Sequence, residues 1–578
     1  MSSRRGVLLL VLALVVTGTL LMLGAQRLRG GGAGVASRLV LTFDVPSSID
    51  EDSPEVDLFS PGSWRRSRLD MFEMLEALRE AADDDRVRAV VLHVGDLDWG
   101  WAKLSEFREA ILELRAARKP VYVSLKGGGE PEIFLASAAT FIALPPASRL
   151  QLDGLTASAL FMRGTLDKIG VRPNFLHVGR YKSAVEGYTR TDLSEPAREA
   201  LAAVLGDTYG MLAESLASAR RTSPDSVRAW MDRGPYSAIE AHELGLVDTL
   251  LDRADLDSLG FRRAGRGAVP LKLARYADRF SGTGSTNRIA LVTASGAITT
   301  GRSRVTGGGE RILGAETLIE ALRRARTRSS VRAIVLRIDS PGGDAAASDE
   351  IWHEVDNCRR VKPVIVSMSD VAASGGYYIA AAADTIVAQP ATITGSIGIY
   401  GGKFNVLGLY EKLGLSVETL STGPRAQMYS PFSDFTEAEA GVYAAHLRES
   451  YERFLEIVAS GRERSTGWAD SVGQGRIWSG TAALDRGLVD LLGGLELAID
   501  VARIRAGFDD EDDFSVERFP EPEQGFLHRM FGDLWDPAGT EGLEKVALIA
   551  NPLRALESVA FLGTGAALAL MPFIIAIR

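Results

Sequence analysis

Apolar positions along the chain fall into two patterns. A long, uninterrupted apolar run lies at each end. Between them, short apolar runs rich in β-branched residues alternate with stretches of helical spacing. Segments 333–338 and 363–368 are apolar apart from Arg337 and Ser367, as strands buried on both faces of a sheet are. Segment 347–360, between them, has apolar residues at helical spacing, so the three together form a β-α-β unit. That alternation predicts an α/β fold with mainly parallel strands. Longer helices are expected over 195–219 and 437–460.

The same unit is written twice. Val87-Arg88-Ala89-Val90-Val91-Leu92 returns as Val331-Arg332-Ala333-Ile334-Val335-Leu336, 244 residues later. Lys119-Pro120-Val121 returns as Lys362-Pro363-Val364, and Leu166-Asp167-Lys168-Ile169-Gly170 as Tyr410-Glu411-Lys412-Leu413-Gly414. Gly245-Leu246-Val247-Asp248 returns as Gly487-Leu488-Val489-Asp490. The order is kept and the spacing barely drifts, so 578 residues are better read as two copies of one unit than as several unrelated domains. The expected division is a first copy over 38–261, a Gly/Arg/Ser-rich linker over 262–287 and a second copy over 288–507. An acidic, irregular tail over 508–545 comes next, opening with Asp509-Asp510-Glu511-Asp512-Asp513.

The ends point to a membrane. Residues 6–25 carry no charge, with Arg4 and Arg5 before them and Arg27 and Arg29 after. About 20 apolar residues span a bilayer core, whereas the apolar part of a cleaved signal is about 7–15 residues long. We read 6–25 as an uncleaved signal anchor with residues 1–5 in the cytoplasm; a cleaved signal peptide is the alternative. Segment 559–577 is a candidate second membrane segment, an interfacial segment, or a hairpin packed on the body, with Pro572 breaking any helix near its end.

Composition narrows the chemistry. Lys+Arg 65 against Asp+Glu 75 gives a net charge of −10, which argues against a general nucleic-acid binder. A single cysteine, Cys358, excludes an intramolecular disulfide framework and any multi-cysteine zinc or iron–sulfur site. Six histidines show no metal-ligand spacing, so neither metal nor cofactor is expected.

Differences between the copies locate the candidate site. After its first strand the second copy has Asp339-Ser340-Pro341-Gly342-Gly343, where the first has Gly95-Asp96-Leu97-Asp98-Trp99. After its next strand the second copy has Ala373-Ser374-Gly375-Gly376-Tyr377-Tyr378, and the position matching Ser374 in the first copy is Gly129. Ser374 is expected in a sharp strand-to-helix turn, with glycines that let a substrate backbone approach. Amides of Gly375 and of the 342–343 turn would converge on a developing oxyanion. A nucleophilic serine needs a base. His353 and His446 both fall in helices away from any such turn, whereas Lys182 in Gly179-Arg180-Tyr181-Lys182-Ser183-Ala184 has no lysine counterpart in Gly423-Pro424-Arg425-Ala426-Gln427. Burial would lower a lysine towards neutrality and make it a base. Each copy then holds what the other lacks.

These residues resemble the S49 serine peptidases of the long signal-peptide-peptidase-A type, over 39–507. The resemblance rests on the Ser-Pro-Gly-Gly turn at 340–343, Ala-Ser-Gly-Gly-Tyr-Tyr at 373–378, Thr-Gly-Ser-Ile-Gly at 394–398 and Tyr-Lys-Ser-Ala at 181–184. It implies tandem Clp protease/crotonase-like domains and a Ser/Lys dyad of Ser374 as nucleophile and Lys182 as general base. It also implies Ser396 as the group orienting the lysine, and Gly343 and Gly375 as the oxyanion hole. Expected partners are signal-peptide remnants and other apolar peptides, the lipid bilayer, and further copies of the chain in a tetramer. The expected setting is the bacterial inner membrane, with the catalytic body outside the cytoplasm. Two readings compete: a crotonase-type acyl-CoA enzyme on the same fold, and a catalytically inactive membrane scaffold.

Overall fold

A computed structural model describes residues 37–52, 69–279, 285, 287–306, 310–509 and 513–520, together with the backbone of 568–570. The proposed anchor at 6–25 and most of 559–577 lie outside the described residues. Among the described residues, no helix is long and apolar enough to cross a membrane.

The duplication seen in the sequence is a duplication of sheet topology. In the first sheet the strands lie side by side in the order Val269–Lys272, Leu39–Val45, Val87–Val94, Val121–Leu125, Phe141–Leu144 and Thr249–Leu250, all parallel. In the second, the order Ser515–Phe519, Arg288–Ser295, Val331–Ser340, Val364–Ala373, Thr385–Ala388 and Leu491–Leu492 repeats it, again all parallel. Central strands are buried along nearly their whole length, which is why their middles, Ala89–Leu92 and Ala333–Leu336, read as unbroken apolar runs and not as alternating ones.

Helices cover the sheets where the spacing predicts them, with boundaries set by caps. The crossover helix Ala345–Arg359 starts at Asp344, whose carboxylate accepts from the Ala347 amide. The long helix Glu437–Gly461 starts with a capping box between Thr436 and Glu439, and its counterpart Glu195–Arg220 starts at Ser194. Cys358 is buried on the crossover helix, and burial pushes its thiol up to about 12, so it is a packing residue and not a nucleophile.

Two segments differ from their sequence reading. The expected linker over 262–287 contains Val269–Lys272, which closes the edge of the first sheet, and the expected irregular tail over 508–545 contains Ser515–Phe519, which closes the edge of the second. Both pair with the first strand of their own sheet, so each copy ends by returning to its beginning. Near the C-terminus, Leu568–Leu570 is a strand, antiparallel to Gly342–Asp344 and touching Ile399–Asn405 at Tyr400.

The copies are joined by exchange of structure. Strand Arg172–Val178 of the first copy leaves its own sheet and pairs antiparallel with Ile399–Asn405 of the second, over seven residues from Val178↔Ile399 to Arg172↔Asn405. This arm carries residues 179–184 into the second copy.

Candidate active site

Ser374 sits at the end of strand Val364–Ala373, directly before the short helix Gly375–Ala380. Its backbone has φ 55° and ψ −113°, a conformation that a side-chain-bearing residue adopts only when its surroundings enforce it. Those surroundings are backbone: the Ser374 amide donates to the Gly395 carbonyl at 2.8 Å, and the Tyr378 amide donates to the Ser374 carbonyl at 2.8 Å. The turn leaves the hydroxyl projecting from the strand end and wholly buried.

Lys182 arrives from the first copy. Immediately after the exchanged strand, the Tyr181 amide donates to the Gln474 carbonyl at 2.7 Å, fixing the loop on the second copy. Gly475 is needed for this approach: a Cβ there would lie 2.5–2.6 Å from the Lys182 backbone and Cβ. The Arg476 guanidinium stacks over Tyr181 and Trp478, while the Arg476 carbonyl accepts from the Ser396 amide at 2.7 Å. One short segment of the second copy therefore places both the lysine and the serine beside it.

Lys182 Nζ lies 2.7 Å from Ser374 Oγ, 3.0 Å from Ser396 Oγ and 2.9 Å from the Ser396 carbonyl oxygen. The structure brings together Lys182 and Ser374 of one and the same chain. Burial drives the ammonium well below its usual range, with no carboxylate among the described residues opposing the shift. A neutral amine fits these contacts in full. Its two N–H groups donate to Ser396, and its lone pair accepts the Ser374 hydroxyl proton.

Gly343 and Gly375, the residues expected to offer oxyanion amides, are neighbours. A Cβ on Gly375 would meet Gly343 N at 3.0 Å and Ser348 Oγ at 2.7 Å, so any side chain at 375 would intrude on the turn. Ser340 shapes that turn by donating to the Gly296 carbonyl at 2.7 Å and accepting from the Gly342 amide at 3.2 Å. The histidines play no part: His353 is exposed beside Asp349, and His446 is exposed on the long helix.

One feature of the first copy escapes a reading of the sequence. At the counterparts of the Gly342–Gly343 turn and the serine elbow, the amides of Leu97 and Gly129 donate to the Glu132 carboxylate at 2.7 and 2.6 Å. The first copy thus fills with its own carboxylate the corner that stays uncharged in the second. A glutamate in the first turn of a helix looks like ordinary capping, and only the fold reveals the second donor.

The family model for peptidase family S49 matches residues 113–258 and 357–509, which fall in both copies. The chain belongs to this family. It is 32% identical over 511 residues to Protease 4 of Haemophilus influenzae, covering 85% of this chain and 82% of that one. It is also 34% identical over 451 residues to the chloroplastic serine protease SPPA of Arabidopsis thaliana, covering 76% of this chain and 66% of that one. A solved ClpP1 variant from Listeria monocytogenes overlaps 37% of this chain and 95% of its own at 16% identity, with a TM-score of 0.24. As an S49 member the protein is a serine-type peptidase, which sets aside the acyl-CoA and inert-scaffold readings.

Proposed function

We propose that this S49 peptidase is a membrane-anchored endopeptidase in which a Ser/Lys dyad cuts spent signal peptides within their apolar stretch. Each copy is read as one Clp protease/crotonase-type unit, and only the second keeps a nucleophile. The observation that carries the dyad is the 2.7 Å approach of the buried Lys182 amine to Ser374 Oγ, with no histidine or carboxylate among the described residues competing for it.

In this mechanism neutral Lys182 accepts the Ser374 proton as Oγ attacks the scissile carbonyl. Ser396 holds the amine through both of its oxygens, so the lone pair stays aimed at Oγ. The amides of Gly343 and Gly375 stabilise the oxyanion, each such donor being worth about 2.7–4 kcal/mol of barrier. The lysine ammonium then protonates the leaving amine. A water, deprotonated by the same lysine, hydrolyses the acyl-enzyme and frees Ser374.

An extended peptide suits the cleft, because the edge of the Gly342–Asp344 strand already accepts one: Leu568–Leu570 runs antiparallel along it, with Ala569 opposite Gly343. The apolar run at 6–25 supports a site held at the membrane, where signal-peptide remnants lie. A bacterial inner-membrane location with the body outside the cytoplasm, and assembly with further copies, complete this reading.

The test uses full-length protein in detergent micelles and a synthetic signal-peptide segment. Ser374→Ala and Lys182→Met should each abolish cleavage while leaving circular dichroism and oligomer size unchanged. Full turnover by Lys182→Met would remove the dyad while leaving the family assignment intact.

A further inference from the structure

We infer that Lys103, in the first copy, is a positioning residue for the reaction: it ties the strand that carries Ser374 to the turn that carries Gly343. The inference rests on the Ser/Lys reading and adds a second contribution of the first copy to the site.

It begins with a break in the central sheet. Strands Val331–Ser340 and Val364–Ala373 run in register up to Ile338↔Met368, then resume at Ser340↔Ala372. One residue, Asp339, therefore faces three, Ser369, Asp370 and Val371. Such bulges bend a strand and re-aim the residues beyond the bend. Here the oxyanion turn comes directly after Asp339, and Ser374 lies just past the bulge.

First-copy groups fill the break. Lys103 Nζ is 2.7 Å from Asp339 Oδ2, 3.3 Å from Asp370 Oδ2 and 3.5 Å from Glu51 Oε1. Asp370 Oδ1 accepts from the amides of Ala102 and Lys103, both at 3.0 Å, so a second-copy carboxylate caps the first-copy helix Trp101–Ala116. Gly100 makes room for it, since a Cβ there would lie 2.0 Å from the Asp370 carboxyl carbon. Asp339 Oδ1 in turn accepts from the Val371 amide at 3.2 Å, and Ser369 Oγ donates to Glu51.

One ammonium thus binds a carboxylate on each segment, and Lys103 is only 8% exposed. Geometry that separates Ser374 from its oxyanion donors by a fraction of an ångström costs rate without altering the surface on which the peptide lies. A positioning role of this kind lowers kcat and spares KM.

The experiment compares wild type, Lys103→Met, Lys103→Arg and Gly100→Ala on one peptide substrate, with kcat, KM, the pH profile and the affinity for a peptide boronate. Unlabelled wild-type protein is the reference for the rates, and a separate sample is treated with a fluorophosphonate; absence of label at Ser374 would overturn the dyad reading itself. For Lys103→Met, kcat and boronate affinity should fall together by about tenfold or more. KM should stay within about twofold, the pH midpoint set by Lys182 should not move, and Lys103→Arg should recover part of the loss. Should Lys103→Met not fold, Gly100→Ala, which displaces Asp370, should show the same split. A folded Lys103→Met or Gly100→Ala with kcat within twofold of wild type would overturn the inference, as would a fall in melting temperature with kcat per folded molecule unchanged.

Discussion

Lys182 and Ser374 belong to different copies of the repeat, stand 192 residues apart in the chain, and end 2.7 Å from each other. The exchanged strand Arg172–Val178 makes this possible: it lets one copy hold a base that the other lacks, and the other hold a nucleophile that the first lacks.

A buried amine with a lowered pKa costs stability. The unfolded chain binds a proton on Lys182 up to about pH 10.4, whereas the folded chain releases it at lower pH. Between those two values the unfolded state holds more protons, so stability rises with pH through that window, and the full penalty stands below it. Lys182→Met removes the penalty. The melting temperature of the variant relative to wild type should therefore be highest on the acid side and decline as the pH approaches about 10. Thermal scans across pH check this, and a difference independent of pH would contradict it.

Ser396→Ala removes one of the two oxygens that hold the amine and leaves the carbonyl in place. A loss of about tenfold or more in kcat is expected, since the hydrogen bond to the ammonium formed in the transition state is worth about 1.5 kcal/mol or more. Fluorophosphonate labelling of Ser374 should slow by a similar factor. A rate equal to wild type would remove Ser396 from the mechanism.

Glu132→Ala strips the acceptor from the amides of Leu97 and Gly129. Two buried donors left unpaired cost about 1–3 kcal/mol each, which lowers the melting temperature by several degrees. Activity at permissive temperature should not change, because the affected corner belongs to the copy without a nucleophile. Calorimetry and steady-state rates together check both halves of this expectation.

Removing residues 568–578 frees the edge of Gly342–Asp344. KM for an extended peptide should fall by at least about twofold, the effect of an edge occupied half of the time, with kcat unchanged. An unaltered KM would mean that the segment does not compete with substrate.

Much of this was legible in the sequence, and the reasons are specific. The constant spacing between copies implies one sheet repeated, and the absence of a lysine in 423–427 sets Lys182 apart. Elements that depend on pairing across the chain were not visible. Val269–Lys272 and Ser515–Phe519 are short and stand among polar residues, so their strand character comes from the neighbour they meet and not from their own pattern. The Glu132 contact and the Lys103 junction are also long-range, made by side chains whose local pattern indicates only capping or a solvated face.

The most direct test of a lysine base is the pH dependence of kcat/KM, which reports ionisations of the free enzyme. Wild type should gain activity with rising pH along a single ionisation lying well below the usual lysine range, then level off. Lys182→Met should lose that limb and stay at background cleavage at every pH. The same rising limb in Lys182→Met as in wild type would contradict the assignment of the base.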